Sequence, residues 1–118
     1  MSRHEGLVRF RHMLNHAREA VTMAAGKTRE DLDTDRKLNL ALVRLLEIVG
    51  EAANRTLPDE RLQYPQIPWT QIIGLRNRLI HGYESVDFDL LWRVVNHDLP
   101  SLLTELEKIV PPDDNRTK

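Results

Sequence analysis

Arg76, Asn77, His81 and Tyr83 fall within eight residues of one another, in an otherwise apolar segment that runs from Pro65 to Tyr83. Arginine carries a fixed charge whose planar fork matches a phosphate, histidine exchanges protons near neutral pH, and asparagine can orient either one. Cleavage of RNA without a metal needs those groups. A base must take the 2′-hydroxyl proton, positive charge must sit beside the phosphoryl oxygens, and an acid must protonate the leaving 5′-oxygen. Singly, each residue has a plainer reading: His81 as a structural histidine, Tyr83 as packing at a helix end, and Arg76 as a side chain that reaches the rim or pairs with a scaffold glutamate such as Glu51. On the residues alone, the phosphate-binding and ion-pair readings of Arg76 both stay open.

Pro65 and Pro68 keep the preceding residues out of helical angles, so the helix that carries these groups is predicted to begin at Pro68 or Trp69 and to end at Gly82. On a wheel of about 100° per residue, Ile72, Leu75, Leu79 and Tyr83 share one side, and Ile73 and Ile80 extend it. Arg76 falls between these two groups, where an unpartnered guanidinium would be costly. Asn77 and His81 share a more polar sector with Gly74, and Arg78 points outward. Arg76 and His81, five positions apart, diverge by about 140° on an ideal helix. Two chains meeting across a two-fold axis would resolve this with a composite site and supply a second histidine.

The remaining chain reads as scaffold. Leu7, Phe10, Leu14, Ala17, Val21 and Ala24 recur as one buried stripe on a helix from about His4 to Ala25, ended by Gly26. His12 and His16 lie one turn apart on it with no third ligand in register, and so read as a solvated face. Thr28 to Asp31 has the form of a capping box, and Thr34 is a candidate cap for a long helix from Asp35 to Arg55. That helix buries Leu38, Ala41, Leu42, Leu45, Ile48, Val49 and Ala52, while Gly50 to Ala53 are small enough to admit a close neighbour. Glu47 and Glu51 are one turn apart, with Arg44 and Arg55 at pairing distance. They form either a solvated ion-pair face or, for Glu51, the partner of a buried arginine elsewhere.

Pro58 opens a possible single turn from Leu57 to Leu62. Asp87 is the predicted cap of a helix that buries Phe88, Leu91, Val94 and Val95. Pro100 should kink it near Asp98, after which it resumes from Ser101 to Val110 through Leu102, Leu103, Leu106 and Ile109. Residues 111–118 form a polar tail expected to be disordered. No strand pair, Gly-rich phosphate loop or internal repeat is expected. The predicted fold is all-α, a four-to-five-helix up-down bundle in a single domain over residues 1–110, kinked near Pro100.

Composition narrows the function classes. The 118 residues suit one domain, and with 41% apolar and 30% charged residues they are too polar for a membrane span. No signal-peptide core is seen at the start, and a cytoplasmic location is expected. The absence of cysteine excludes disulfides, thiolate metal sites and thiol nucleophiles. A net charge of −1 argues against coating of nucleic acid, but leaves room for a local site built from a few arginines.

At the run from Arg76 to Tyr83 the sequence resembles the HepT-like toxins of the HEPN superfamily, whose pattern is Arg, four residues, His, one residue, Tyr. The resemblance extends through Ile48 to Ala52, Ile67 to Trp69, Val86-Asp87 and Asp98 to Pro100, covering about Asp35 to Ile109. Leu32 departs from it, standing where the family favours an aromatic. The resemblance implies a HEPN-like fold and a metal-independent endoribonuclease that needs no cofactor. This would be the toxin of a type VII-like toxin–antitoxin pair, a homodimer with the motif at its cleft. Arg76 and His81 would be catalytic, with Asn77 and Glu51 in support. The partner would be a minimal nucleotidyltransferase antitoxin that transfers AMP to Tyr83. Phosphate added there would occupy positive charge otherwise met by RNA. A noncatalytic helical subunit that binds nucleotide or RNA beside a nucleotidyltransferase, and a structural bundle in which Arg76 pairs with Glu51, are the alternative readings.

Overall fold

Gly26 shows why the first helix stops where it does. Helix α1 spans Arg3–Ala24, and Gly26 lies just beyond it at φ 78°, a left-handed angle that a Cβ would penalise. The structure, a computed structural model, describes residues 3–81 and 85–111, with side chains from residue 6 onward. Tyr83 and residues 112–118 of the expected disordered tail lie outside the described residues. Along α1, Phe10, Leu14, Ala17 and Ala24 are buried as the stripe predicts, Leu7 and Val21 are half-buried, and Met13 and Ala20 join them.

Helix α2 spans Asp31–Thr34 and α3 spans Arg36–Asn54. Asp31 accepts the Thr28 N–H at 2.7 Å, the reach-back half of the predicted capping box. The cap of α3 is not Thr34 but Asp35, whose carboxylate accepts the Leu38 N–H at 3.0 Å. Thr34 still belongs to α2, whereas an N-cap needs extended angles, which Asp35 has at φ −104°, ψ 94°. Leu38, Leu42, Leu45, Leu46, Val49, Ala52 and Ala53 form the buried face of α3, with Ala41 and Ile48 only half-buried. That face packs along α1.

Helix α4, Pro58–Gln63, carries its proline in the first turn, and Glu60 both accepts the Leu57 N–H at 3.2 Å and pairs with Arg9 of α1 at 3.3 Å. The next segment departs from prediction. The single helix expected up to Gly82 is two short helices, α5 Trp69–Ile73 and α6 Leu75–Leu79, separated by Gly74. The expected absence of strands is also corrected. Beyond Leu79 the chain is extended, and β1 Ile80–His81 pairs antiparallel with β2 Ser85–Val86, Ile80 opposite Val86 and His81 opposite Ser85. Ile80, β-branched and at φ −105°, ψ 116°, leaves the helical region. The Leu79 carbonyl then accepts the Asp87 N–H at 2.8 Å.

Asp87 caps α7, Phe88–Arg93, as predicted, by accepting the Leu90 N–H at 3.0 Å. A π turn, Val94–Asp98, leads into α8, Leu99–Ile109. The interruption predicted near Asp98 takes this widened form, with Asp98 still helical at φ −75°, ψ −43° and Pro100 in the first turn of α8. Proline has no N–H for an i→i−4 bond, and the wider turn absorbs that vacancy in the ladder. Arg29, ahead of α2, ties this end of the molecule together. It donates to Asp89 at 2.7 Å and to Asp33 at 3.1 Å, and lies over the Phe88 ring. The hydrogen bond to Asp89, then that to Asp33, raises its pKa above the ordinary arginine value.

Among the described residues the protein is thus an all-α bundle with one small strand pair. α1 lies against α3 and α8, and α3 carries α5 and α6. A Cβ built on Gly50 of α3 would stand 3.1 Å from the Ile72 carbonyl oxygen, so the small residues there do admit a close neighbour. Among the described residues, no helix is long and apolar enough to cross a membrane. The cap assignment is checked by urea unfolding: Asp35→Ala should cost about 1 kcal/mol, and Thr34→Ala less than about 0.5 kcal/mol.

Candidate functional site

Helix α6 is barely more than one turn long, anchored by Leu75 and Leu79, which are buried, with Arg76, Asn77 and Arg78 exposed between them. The break at Gly74, φ −82° and ψ 1°, resets the helical phase, so a wheel drawn continuously from Ile72 misplaces the residues beyond Gly74. Arg76 does not sit at the edge of the core. Its side chain is 63% exposed.

Its partner also differs from the expected one. The Arg76 Nε–H donates to Glu47 Oε2 at 2.9 Å, and Glu47 is the more sheltered member at 24% exposure. Glu51, one turn further along α3, accepts instead from Arg55 Nε at 2.9 Å. At sequence level Glu47 and Glu51 are equivalent members of one helical face. Only the register of α6 against α3 decides between them, and a single sequence does not reveal it. Glu47 is therefore the site residue that sequence reasoning passed over, and its spacing beside Glu51 was the available signal.

The arrangement at Arg76 leaves a guanidinium steered from one edge. With Nε engaged by Glu47, its terminal nitrogens have no partner among the described residues. They are free to form the paired, charge-assisted hydrogen bonds that a phosphate accepts. His81 comes next, on β1, and is exposed. Because the chain becomes extended at Ile80, the direction of His81 is not set by helical geometry, and the divergence of about 140° predicted for a continuous helix does not apply. Asn77 is exposed on α6 beside Arg76.

Glu51 lies apart from this group, in an open cleft of about 460 Å³ between α1 and α3 whose lining also includes Arg44, Arg55 and His12. His12 and His16 do not converge. The His16 Nδ1–H donates to the His12 carbonyl at 2.7 Å, as in a helix surface pair. Among the described residues no group of three or more histidine and acidic side chains is placed to hold a metal ion.

The sequence profile of the HepT-like family, described as "Ribonuclease HepT-like", matches residues 8–109. A protein of Thermococcus cleftensis named "Probable ribonuclease HepT" is 39% identical over 95 residues, covering 77% of this chain and 86% of that one. A Methanocaldococcus jannaschii protein named "Putative RNase" is 34% identical, covering 80% of this chain and 87% of that one. No solved structure matches the chain.

An exposed pair such as Arg76 with Glu47 contributes little to folding. Arg76→Ala should therefore lower unfolding free energy by less than about 1 kcal/mol in a denaturant titration, whereas a buried charge pair would cost about 3–5 kcal/mol.

Proposed function

The chain belongs to the HepT-like ribonuclease family, and from that premise we propose that it is a metal-independent endoribonuclease, the toxin of a toxin–antitoxin pair. The observation that carries this reading is Arg76, exposed on α6, fixed through Nε by Glu47 and presenting its terminal nitrogens five residues before an exposed His81. His81 takes the proton from a 2′-hydroxyl, and the 2′-oxygen then attacks the adjacent phosphorus. Arg76 stabilises the charge that grows on the phosphoryl oxygens. The bond to the 5′-oxygen breaks, that oxygen leaves with a proton, and a 2′,3′-cyclic phosphate remains.

One histidine cannot hold and lack a proton at the same moment. In a homodimer, the second chain's His81 is the acid while the first is the base. Asn77, next to Arg76, supports the pair. The nucleotidyltransferase antitoxin silences the enzyme by transferring AMP to Tyr83, two residues beyond His81. The added phosphate brings negative charge to the segment that must bind RNA phosphate. The silencing step rests on the motif and on the family resemblance.

In a cleavage assay on single-stranded RNA, Arg76→Ala and His81→Ala should each lower the rate by at least about a hundredfold, and EDTA should leave the wild-type rate unchanged. Retained cleavage in both variants would remove the catalytic assignment. Intact mass after co-expression with the cognate nucleotidyltransferase should show AMP on the wild type and none on Tyr83→Phe.

A further inference from the structure

The pairing that steers Arg76 occurs twice on α3. Glu47 accepts from Arg76 Nε and Glu51 accepts from Arg55 Nε, both at 2.9 Å. Each glutamate engages the Nε edge, and each leaves the terminal nitrogens of an exposed guanidinium available, Arg55 being 72% exposed. Arg44, on the same face of α3, is exposed and makes no hydrogen bond or ion pair among the described residues. Residues 44, 51 and 55 stand within about 40° of one another on the helix, and 47 at the margin of that stripe. The exposed face of α3 thus continues without a break from the glutamate that holds Arg76 to the arginines of the α1/α3 cleft.

The cleft has the chemistry of a nucleotide site. Val8, Ile48 and Ala52 supply the apolar part of its lining, and Arg44, Arg55 and His12 line it beside them. Its volume of about 460 Å³ falls within the range of small-ligand sites. Glu51 is the one carboxylate in the lining, and it is already engaged by Arg55. In a chain of net charge −1, this concentration of cations is local. It selects an anion, and the apolar lining selects one that carries a flat or greasy body. A phosphodiester with its base satisfies both.

We propose that the α1/α3 cleft is a second RNA subsite. It holds a nucleotide flanking the cleaved bond, with phosphate on Arg44 and Arg55 and the base against Ile48 and Val8. The inference rests on the ribonuclease reading and extends it by assigning the path of the strand: across the exposed face of α3, from Arg76 into the cleft. Glu51 then acts as a positioning residue for Arg55, as Glu47 does for Arg76.

The test is fluorescence anisotropy with a labelled single-stranded RNA of about ten nucleotides, measured across a salt series on the full chain in the His81→Ala background, so that the probe stays intact. The Arg44→Ala/Arg55→Ala pair should weaken binding at least about tenfold and reduce the salt slope by about 0.7, the value for one lost phosphate contact on a single strand. Glu51→Gln should weaken binding less, by freeing Arg55 from its fixed edge. The control pair Arg36→Ala/Arg93→Ala, two exposed arginines outside the cleft lining, should leave affinity within about twofold. Wild-type affinity and slope in the Arg44/Arg55 pair, with thermal unfolding showing it folded, would overturn the subsite and leave the ribonuclease reading standing. An equal loss in the control pair would overturn it too, by reducing the effect to general charge. Dissociation of a dimer by the Arg44/Arg55 pair without loss of RNA affinity would assign the cleft to contact between copies instead. Failure of the wild-type chain to bind or cut RNA would remove both readings together.

Discussion

The approach of α5 to α3 at Gly50 is the constraint on which the site depends. A side chain there would meet the Ile72 carbonyl at 3.1 Å and force α5 outward by a few tenths of an ångström. Two contacts fix the geometry: Gly50 against Ile72, and Glu47 against Arg76. They run in opposite order along the two segments, so α5 and α6 cross α3 antiparallel. Three residues on one side match four on the other, about one helical turn each. The depth of that crossing decides whether the Arg76 side chain can reach a glutamate at all, and which one.

Magnitudes separate what holds the fold from what arranges the surface. A buried leucine contributes about 1.5–3 kcal/mol and an exposed ion pair about 0.2–1 kcal/mol. The leucines of α1, α3 and α8 therefore carry the bundle, and the two glutamate–arginine pairs on the outer face of α3 add little to it. Their effect is directional. Each restricts a long cation to one orientation with one edge turned outward, which reduces the rotamer freedom that binding would otherwise have to remove.

The helices and their buried faces were legible in the sequence because apolar periodicity and capping are local. α1 starts and ends within one residue of its expected bounds, and Asp87 caps α7 as its position before an apolar run suggests. The cap of α3 was missed by one residue, because Thr34 and Asp35 are both good capping residues and only the end of α2 excludes Thr34. The chemistry of Arg76, Asn77 and His81 was legible from residue type. Their placement was not, because Gly74 breaks the helix and Ile80 leaves it, and each event changes the phase of every later residue. The strand pair has two residues on each side, below the length at which alternation becomes a signal. The choice of Glu47 over Glu51 is a matter of tertiary register.

That strand pair sets a second energy scale within the molecule. Isolated two-stranded hairpins are at best marginally stable, and among the described residues this one has the pairs Ile80 with Val86 and His81 with Ser85. Opening it need not disturb the leucine layers beneath, since Leu79 and Leu91 remain anchored on either flank. The histidine is thereby carried by a unit whose local unfolding is far cheaper than that of the bundle. Its alignment can be gained or lost within the native state, while the leucine layers beneath stay packed.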